Sequence, residues 1–173
     1  MQESDTVKIT DFLKEEPEEV EIGIVDSRPP WDVYFARIVE QIALRSTCTR
    51  RQIGAVIVNE RHQIVSTGFN GVMRNAQHCD EIGCIKDKKN IESGMGHGIC
   101  PAVHAEQNAL LQAGKDSEGC TIYVNAFPCK ICARLIVNAG IKRVVVSGKY
   151  TDSEGLEILK KGNIDVTHIE FSP

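Results

Sequence analysis

A histidine and a glutamate stand two residues apart where an apolar run begins, in the stretch HAEQNALL at 104–111. Positions i and i+2 of a helix do not share a face, so His104 and Glu106 do not form an i,i+4 ion pair or two ligands on one helical stripe. Each side chain must therefore have its own task, and a second stretch of the chain indicates what those tasks are.

That second stretch is PCKIC at 128–132, with two cysteines in C-x-x-C spacing. Pro128 favours the start of a helix, where the dipole and free backbone N–H groups favour thiolates. Alone, the spacing is compatible with a redox pair, two buried thiols or a metal site. Together with His104, Cys129 and Cys132 would leave the fourth position of a tetrahedral zinc ion open for water, as in catalytic sites.

Glu106 then acquires a chemical role. Zinc lowers the pKa of its bound water from about 15.7 towards 7, and a positioned acid–base group typically contributes about 10²–10⁴ in rate. The alternative is a carboxylate that only supports the helix dipole. The combination with His104 and PCKIC favours a proton shuttle.

Composition predicts one ordinary globular domain: the chain has 173 residues, 42% of them apolar and 25% charged. A net charge of −4 argues against binding to long nucleic acid. No apolar run approaches the roughly 20 residues of a membrane span, and the acidic N-terminus does not resemble a signal peptide. Seven cysteines therefore predict thiols or metal ligands in a cytoplasmic protein.

The elements follow from periodicity and from Gly and Pro signals. Residues 1–28 predict an acidic arm, flexible or docked, ahead of a domain at 29–173 that contains a long insertion at 71–103. The predicted elements are a helix at 31–46 with Asp32 as N-cap, a hairpin of strands at 53–58 and 63–69, helices at 105–114, 128–140 and 152–162, and strands at 121–127, 144–147 and 164–171. This order predicts an α/β protein with a mixed sheet and helices on both faces.

The segments STCTRRQIGAVIV, STGFNG, HAEQNALL and YVNAFPCKIC together resemble deoxycytidylate (dCMP) deaminases of the cytidine deaminase-like superfamily, over roughly residues 31–170. H-x-E…P-C-x-x-C is the signature of zinc-dependent nucleobase deaminases. GFNG and the cysteine-containing insertion before HAE favour the dCMP branch. The resemblance implies a three-layer α/β/α fold with a five-stranded mixed sheet.

It also implies a reaction and its residues. Zinc would lie on His104, Cys129 and Cys132, and hydroxide would attack C4 of cytosine while Glu106 protonates N3. Ammonia leaves, and the dUMP that remains feeds thymidylate synthesis.

Three further residues match substrate-binding positions of the resembled family. Asn70 in GFNG would contact ribose or base, and Tyr150 and Arg50 would approach the 5′-phosphate. The alternatives are a tight turn for Asn70, a packing role for Tyr150 and a solvated charge for Arg50. Asn125 and Ala126 replace the threonine and bulkier residue that often precede FPC in the family, which changes the pocket near the base.

The remaining cysteines suggest a second metal. Some dCMP deaminases bind a structural zinc with the STC cysteine and residues of the insertion, and Cys48 and Cys79 match such positions. Cys84 and Cys100 would complete the set; ordinary thiols are the alternative, and His78 and His97 lie nearby in sequence. A closed four-ligand site would stabilise the insertion, because metal binding contributes folding energy. Cys120 is expected in the core.

Many of the resembled enzymes are homo-hexamers, activated by dCTP and inhibited by dTTP. The resemblance thus implies a homo-oligomer with triphosphate effectors, possible Mg²⁺ beside a triphosphate, and no membrane partner. Two alternatives remain: a deaminase of another cytosine nucleotide or nucleoside, of guanine or of tRNA adenosine, and a non-catalytic zinc assembly protein. The intact Glu106 argues against the last.

Overall fold

A computed structural model describes residues 8–11, 28–92, 95–96, 98–148 and 153–171. Its strands are β1 Lys8–Asp11, β2 Gly54–Val58, β3 Ile64–Phe69, β4 Gly71–Val72, β5 Ala102–Val103, β6 Thr121–Val124, β7 Arg143–Val146 and β8 Asp165–Glu170. Its helices are α1 Trp31–Ala43, α2 Cys79–Ile82, α3 Ile85–Lys88, α4 Ala105–Ala113, α5 Lys130–Asn138 and α6 Ser153–Lys161, with a 3₁₀ turn at Gly114–Ser117. Within the described part of the chain, no helix has the length and apolarity needed to cross a membrane.

The main sheet has the strand order β1-β8-β7-β6-β2-β3. Strands β6, β7 and β8 are parallel to one another, and β2 runs antiparallel to both β3 and β6. The predicted five-stranded mixed sheet is therefore confirmed. Strand β1 adds a sixth, antiparallel to β8, from within the predicted N-terminal arm. Most of that arm lies outside the described residues, and its boundary at residue 28 stays a prediction.

Helices cover both faces of the sheet, as predicted. Side chains of a strand alternate between the faces, and in β2 Ala55 and Ile57 belong to one buried cluster while Val56 and Val58 belong to another. Helix α1 packs on the second face, and helices α4, α5 and α6 pack on the first. The result is the three-layer α/β/α arrangement.

The approach of α4 to β3 depends on a glycine. A Cβ atom at Gly68 would collide with the carbonyl oxygen of Ala105, so only glycine allows the first turn of α4 to lie directly on the strand. That turn contains Glu106 and follows His104. The contact therefore fixes the distance of His104 and Glu106 from the sheet.

Asp32 is not the N-cap of α1, so that prediction was wrong. Pro30 occupies the cap position, and Asp32 lies in the first turn. Its carboxylate accepts N–H bonds from Arg143 at 3.0 and 2.8 Å and the hydroxyl of Tyr123 at 2.9 Å. Burial and the Asp32 carboxylate raise the pKa of Tyr123. Asp32 thus joins α1 to the sheet.

The insertion at 71–103 has a closed base. Strands β4 and β5 pair antiparallel, with Gly71 opposite Val103 and Val72 opposite Ala102. Between them the short helices α2 and α3 provide regular structure that the weak periodicity did not predict. Because β5 leads directly into α4, the base of the insertion adjoins His104.

Candidate active site

The predicted metal ligands come together between two helix N-termini. His104 is the N-cap of α4, where its backbone N–H donates to Gln107 Oε1 at 2.8 Å, and Cys129 is the N-cap of α5. The Sγ atoms of Cys129 and Cys132 lie 3.6 and 3.3 Å from His104 Nδ1. The three ligand atoms all lie within 4.8 Å of one another. One imidazole nitrogen and two sulfurs in this arrangement fit a zinc ion.

The thiols of Cys129 and Cys132 have pKa values shifted in opposite directions. A hydrogen bond from Cys132, with a further one from His104, lowers the pKa of Cys129 to about 3. The same interaction with Cys129, together with burial, raises the pKa of Cys132. The hydrogen bond to Cys129 also raises the pKa of His104. A thiolate is therefore available at the N-terminus of α5, as a metal ion requires.

Glu106 lies beside these ligands in the first turn of α4, with 3% of its surface exposed. Burial raises the pKa of its carboxyl, and its side chain is hydrogen-bonded to Cys132. A carboxyl with a raised pKa is suited to take up and release a proton near neutral pH. The structure thus brings all four predicted residues of the catalytic motif into one group.

A cavity of about 740 Å³ opens onto this group, within the range usual for small-molecule sites. Its wall contains the catalytic motif together with residues of the insertion, of the segment before β2 and of the loop after β6. They include Cys48, Arg50, Arg51, Asn70, Cys79, Cys84, Lys86, Cys100, His104, Glu106, Ala126, Phe127, Cys129, Lys130 and Glu154. Tyr150, the second predicted phosphate contact, lies outside the described residues.

Asn70 lines the cavity but already has two backbone partners. Its Oδ1 accepts the N–H of Ile53 at 2.8 Å, and its Nδ2 donates to the carbonyl of Arg51 at 2.9 Å. The side chain is buried. Asn70 therefore holds the Arg51–Ile53 segment in place, and one amide hydrogen and one lone pair remain for a substrate contact.

Arg50 and Arg51 both line the cavity, in different ways. The Arg50 guanidinium donates to the carbonyl of Ile91 at 2.8 Å and lies 3.5 Å from Asp87, so it joins its own segment to the insertion. Arg51 has no side-chain hydrogen bond or ion pair with any of the residues described. Sequence reasoning singled out Arg50 alone, although the adjacent RR pair could have suggested both.

Asn125, which stands where the family often has threonine, forms hydrogen bonds with three neighbouring segments. Its Oδ1 accepts the N–H of Gly54 at 2.9 Å, and its Nδ2 lies 3.3 Å from both Glu40 Oε2 and the carbonyl oxygen of Gln52. The side chain thus fastens the end of β6 to β2 and α1. Ala126, the next residue, faces the cavity.

The four additional cysteines line the same cavity, two of them, Cys79 and Cys84, being buried. Burial raises the pKa of Cys79, and the neighbouring charges of Cys48, Cys84 and Cys100 raise it further. These residues are close enough to interact. In the described parts of the chain, however, only His104, Cys129 and Cys132 form a ligand group within 4.8 Å. Cys120 is buried in the core.

Comparison with known proteins gives the family. The cytidine and deoxycytidylate deaminase zinc-binding region matches residues 29–148. Deoxycytidylate deaminase of Mycobacterium phage D29 is 42% identical over 125 residues, 69% of this chain and 95% of the phage protein. The Saccharomyces cerevisiae deoxycytidylate deaminase is 38% identical over 152 residues, 84% of this chain and 46% of the yeast protein. The chain spans about half the length of this yeast relative and of that from Schizosaccharomyces pombe.

A solved structure supports the fold. The dCMP deaminase from cyanophage S-TIM5, in complex with dCMP and dUMP, superimposes with a TM-score of 0.68 at 22% identity, over 83% of this chain and 99% of that one. The family match at residues 29–148 includes both halves of the ligand group, His104 and the Cys129–Cys132 pair. The chain therefore belongs to the cytidine and deoxycytidylate deaminase zinc-binding family.

Proposed function

We propose that this protein catalyses the zinc-dependent hydrolytic deamination of dCMP to dUMP and ammonia. The observation that carries the proposal is the buried Glu106 beside the His104, Cys129 and Cys132 ligand group, at the base of a cavity of nucleotide size. Relatives named deoxycytidylate deaminase favour dCMP over other cytosine compounds. The seven cysteines, all free in the structure, favour a reducing cytoplasm.

The chain's own residues would divide the work as follows. When bound by His104, Cys129 and Cys132, zinc would supply a water of lowered pKa at neutral pH. Glu106 accepts a proton and delivers it to N3 of the cytosine as a C4–O bond forms. It then takes the second proton from the new C4–OH group and passes it to the exocyclic nitrogen, so that the C4–N bond breaks, a C4 carbonyl forms and ammonia leaves. Its burial keeps the carboxyl away from bulk solvent.

Substrate choice would depend on the two arginines at the cavity wall. A 5′-phosphate carries two negative charges near neutral pH, and guanidinium groups bind such oxygens well. Arg51, which has no side-chain partner in the described structure, is free to turn towards the phosphate, whereas Arg50 is held by Ile91 and Asp87. We therefore assign the larger share of phosphate binding to Arg51. The assignment of Tyr150 to the phosphate stays a prediction.

Ammonia release from dCMP, CMP, deoxycytidine and dCTP should show the highest kcat/KM with dCMP. Arg51→Ala should raise KM for dCMP about 10-fold or more, since losing a charge-assisted hydrogen bond removes about 1.5–3 kcal/mol of binding. Turnover of deoxycytidine should hardly change, because the phosphate takes no part in the chemical step.

The control is Arg61→Ala, which removes an exposed arginine from the β2–β3 turn and should leave both substrates unaffected. Equal losses on dCMP and deoxycytidine in Arg51→Ala would show that the residue has only a structural role. Preference for another compound of the panel would instead refute dCMP as substrate.

We further propose a second, structural zinc held by Cys48, Cys79, Cys84 and Cys100. Their common position on the cavity wall and their mutual influence support it. The regular elements described in the insertion are short, so a four-ligand ion would add rigidity to it. The ion would also keep Asp87 and Ile91 in place against Arg50.

Assembly into a homo-oligomer, a hexamer by family resemblance, is also proposed. Ile131 and Leu135 are exposed and lie i,i+4 on the outer side of α5, and Leu111 is 77% exposed on α4. Such residues are suited to burial against other copies of the chain. Regulation by dCTP and dTTP, with Mg²⁺ beside the triphosphate, would require a nucleotide site that differs between two states of this assembly.

If that regulation operates, dCMP saturation of the assembled protein should be sigmoidal in initial-rate measurements. Adding dCTP with Mg²⁺ should make it hyperbolic by favouring the competent state, and dTTP should lower the rate. An effector that bound both states equally would shift nothing. Hyperbolic kinetics, unchanged by either triphosphate in a preparation shown by light scattering to be oligomeric, would exclude the regulation.

A further inference from the structure

His168 lies on β8, outside the catalytic motif, yet its side chain contacts Phe127, the residue just before the PCKIC segment. Its Nε2 atom lies 3.0 Å from the carbonyl oxygen of Gly148, just beyond the end of β7. A carbonyl oxygen can only accept, so this nitrogen must carry the proton of the hydrogen bond. His168 therefore fixes the backbone at the end of β7.

The imidazole ring also contacts the cavity wall. It packs on Phe127 with ring centroids 5.6 Å apart and an interplanar angle of 39°. Phe127 is 6% exposed, lines the cavity and stands two residues before the metal ligand Cys129. The His168 ring thus packs against the chain segment that leads to Cys129.

Gly148 and the cavity wall are themselves in direct contact. A Cβ atom at Gly148 would collide with the carbonyl oxygen of Asn125, so the end of β7 lies immediately against the loop that follows β6. The next residue of that loop, Ala126, lines the cavity. His168 therefore holds one short piece of wall at two points, through the Gly148 carbonyl and through the Phe127 ring.

We propose that His168 is a positioning residue for the reaction, holding the Ala126–Phe127 wall and, through it, Cys129 in register with Glu106. The proposal rests on the proposed deaminase function for its kinetic consequence, but its structural content does not. The contacts of His168 described above are with Gly148 and Phe127, so we expect it to act on the catalytic group through these two residues.

The expected consequence is a loss in kcat. Misplacement of reacting groups by about 1 Å can cost up to about 10²-fold in rate. Both contacts of His168 lead to the segment before Cys129, so the loss should appear with deoxycytidine as well as with dCMP. KM should change less than kcat, because Arg50 keeps its partners Ile91 and Asp87 in the insertion.

Three variants separate the two contacts. His168→Gln keeps an N–H donor and loses the ring, His168→Phe keeps a ring and loses the donor, and His168→Leu loses both. We expect His168→Leu to lower kcat about 10-fold with KM within about 3-fold, and the other two variants to lie between it and the wild type. The matched control is His62→Leu, since His62 stacks on Trp31 at 4.3 Å in the β2–β3 turn and should leave kcat unchanged.

A second measurement does not depend on activity. Hydrogen exchange followed by mass spectrometry should be faster in residues 124–133 and 145–148 of His168→Leu, but unchanged there in His62→Leu. Unchanged exchange in both segments, or a wild-type kcat in His168→Leu, would overturn the proposal, as would a kcat loss that merely follows the folded fraction measured by thermal melting. If the wild-type protein deaminated no cytosine compound, the proposed function would fail, and the exchange data would still decide the role of His168.

Discussion

Glu106→Gln should keep its bound zinc and lose about 10²–10⁴ of the deamination rate, the range that a positioned acid–base group contributes. The carboxamide has nearly the same shape as the carboxyl and can still hydrogen-bond to Cys132, so the ligand group should remain intact. It cannot exchange a proton near neutral pH. The loss should therefore appear in kcat, with the KM for dCMP little altered.

Ammonia release and elemental analysis of the same preparation measure both halves of this expectation. The matched control is Glu60→Gln, which makes the same chemical change at an exposed glutamate paired with Lys142 on the surface. That variant should retain full activity, because exposed ion pairs contribute little. A Glu106→Gln protein with its zinc and a substantial share of the wild-type rate would show that another group moves the proton.

Local sequence was sufficient to predict which residues lie together at the candidate site, and their chemical roles stay a prediction. His104, Glu106, Cys129 and Cys132 occupy two short motifs at helix N-termini, and the order of strands and helices brings these two N-termini together. The helices and the hairpin followed from periodicity because each depends on neighbours within a few residues, whereas the five-stranded sheet was implied by the family resemblance. The family match then confirmed the fold and the family that the motifs had indicated.

Contacts between distant parts of the chain could not be predicted in this way. Asp32 is a favourable N-cap residue by type, but Arg143, 111 residues away, takes its carboxylate instead. An electrostatic and bidentate partner is worth more to a partly buried carboxylate than a cap. The pairing of β1 with β8 and the position of His168 against Phe127 are likewise set by the folded chain and leave no local signal.

Arg50 and Arg51 show a further limit of prediction from sequence. The sequence RRQIGAVIV places two cations before β2 but does not say which one faces the cavity freely. The structure distinguishes them, because Arg50 binds the backbone of Ile91 in the insertion, 41 residues away. A residue assigned to substrate by its position in a motif can thus be held by a distant part of the chain.

Metal analysis of the purified chain should give two zinc ions per subunit, and Cys79→Ser should reduce the value to one. Cys79 is the suitable choice because charges on Cys48, Cys84 and Cys100 all raise its pKa, which indicates that it lies near each of them. A four-cysteine site contributes folding energy when the ion binds, so removing one ligand should loosen the insertion. Hydrogen exchange should then rise across residues 79–92, with the zinc on His104, Cys129 and Cys132 retained.

The same substitution should weaken dCMP binding. The insertion holds Arg50 through Ile91 and Asp87, so a loosened insertion frees that arginine and disturbs its neighbour Arg51. KM for dCMP should rise several-fold while kcat changes less, a pattern opposite to that of Glu106→Gln. Cys120→Ser is the control, because Cys120 is a buried thiol bonded to the carbonyl of Asp116, away from the cavity. It should retain two zinc ions even if the protein melts at a lower temperature.

If the wild-type protein contained one zinc ion per subunit, the proposal of a structural ion would be wrong, and the four cysteines on the cavity wall would be ordinary thiols. The insertion would then have to be stabilised by other contacts, among them the β4–β5 pairing, the Arg50 bond to Ile91 and the hydrogen bond between Thr47 and His78. In that case Cys79→Ser should leave both the zinc content and the exchange of residues 79–92 unchanged. The two measurements must agree, because an ion that closed the insertion could not be lost without a change in its exchange.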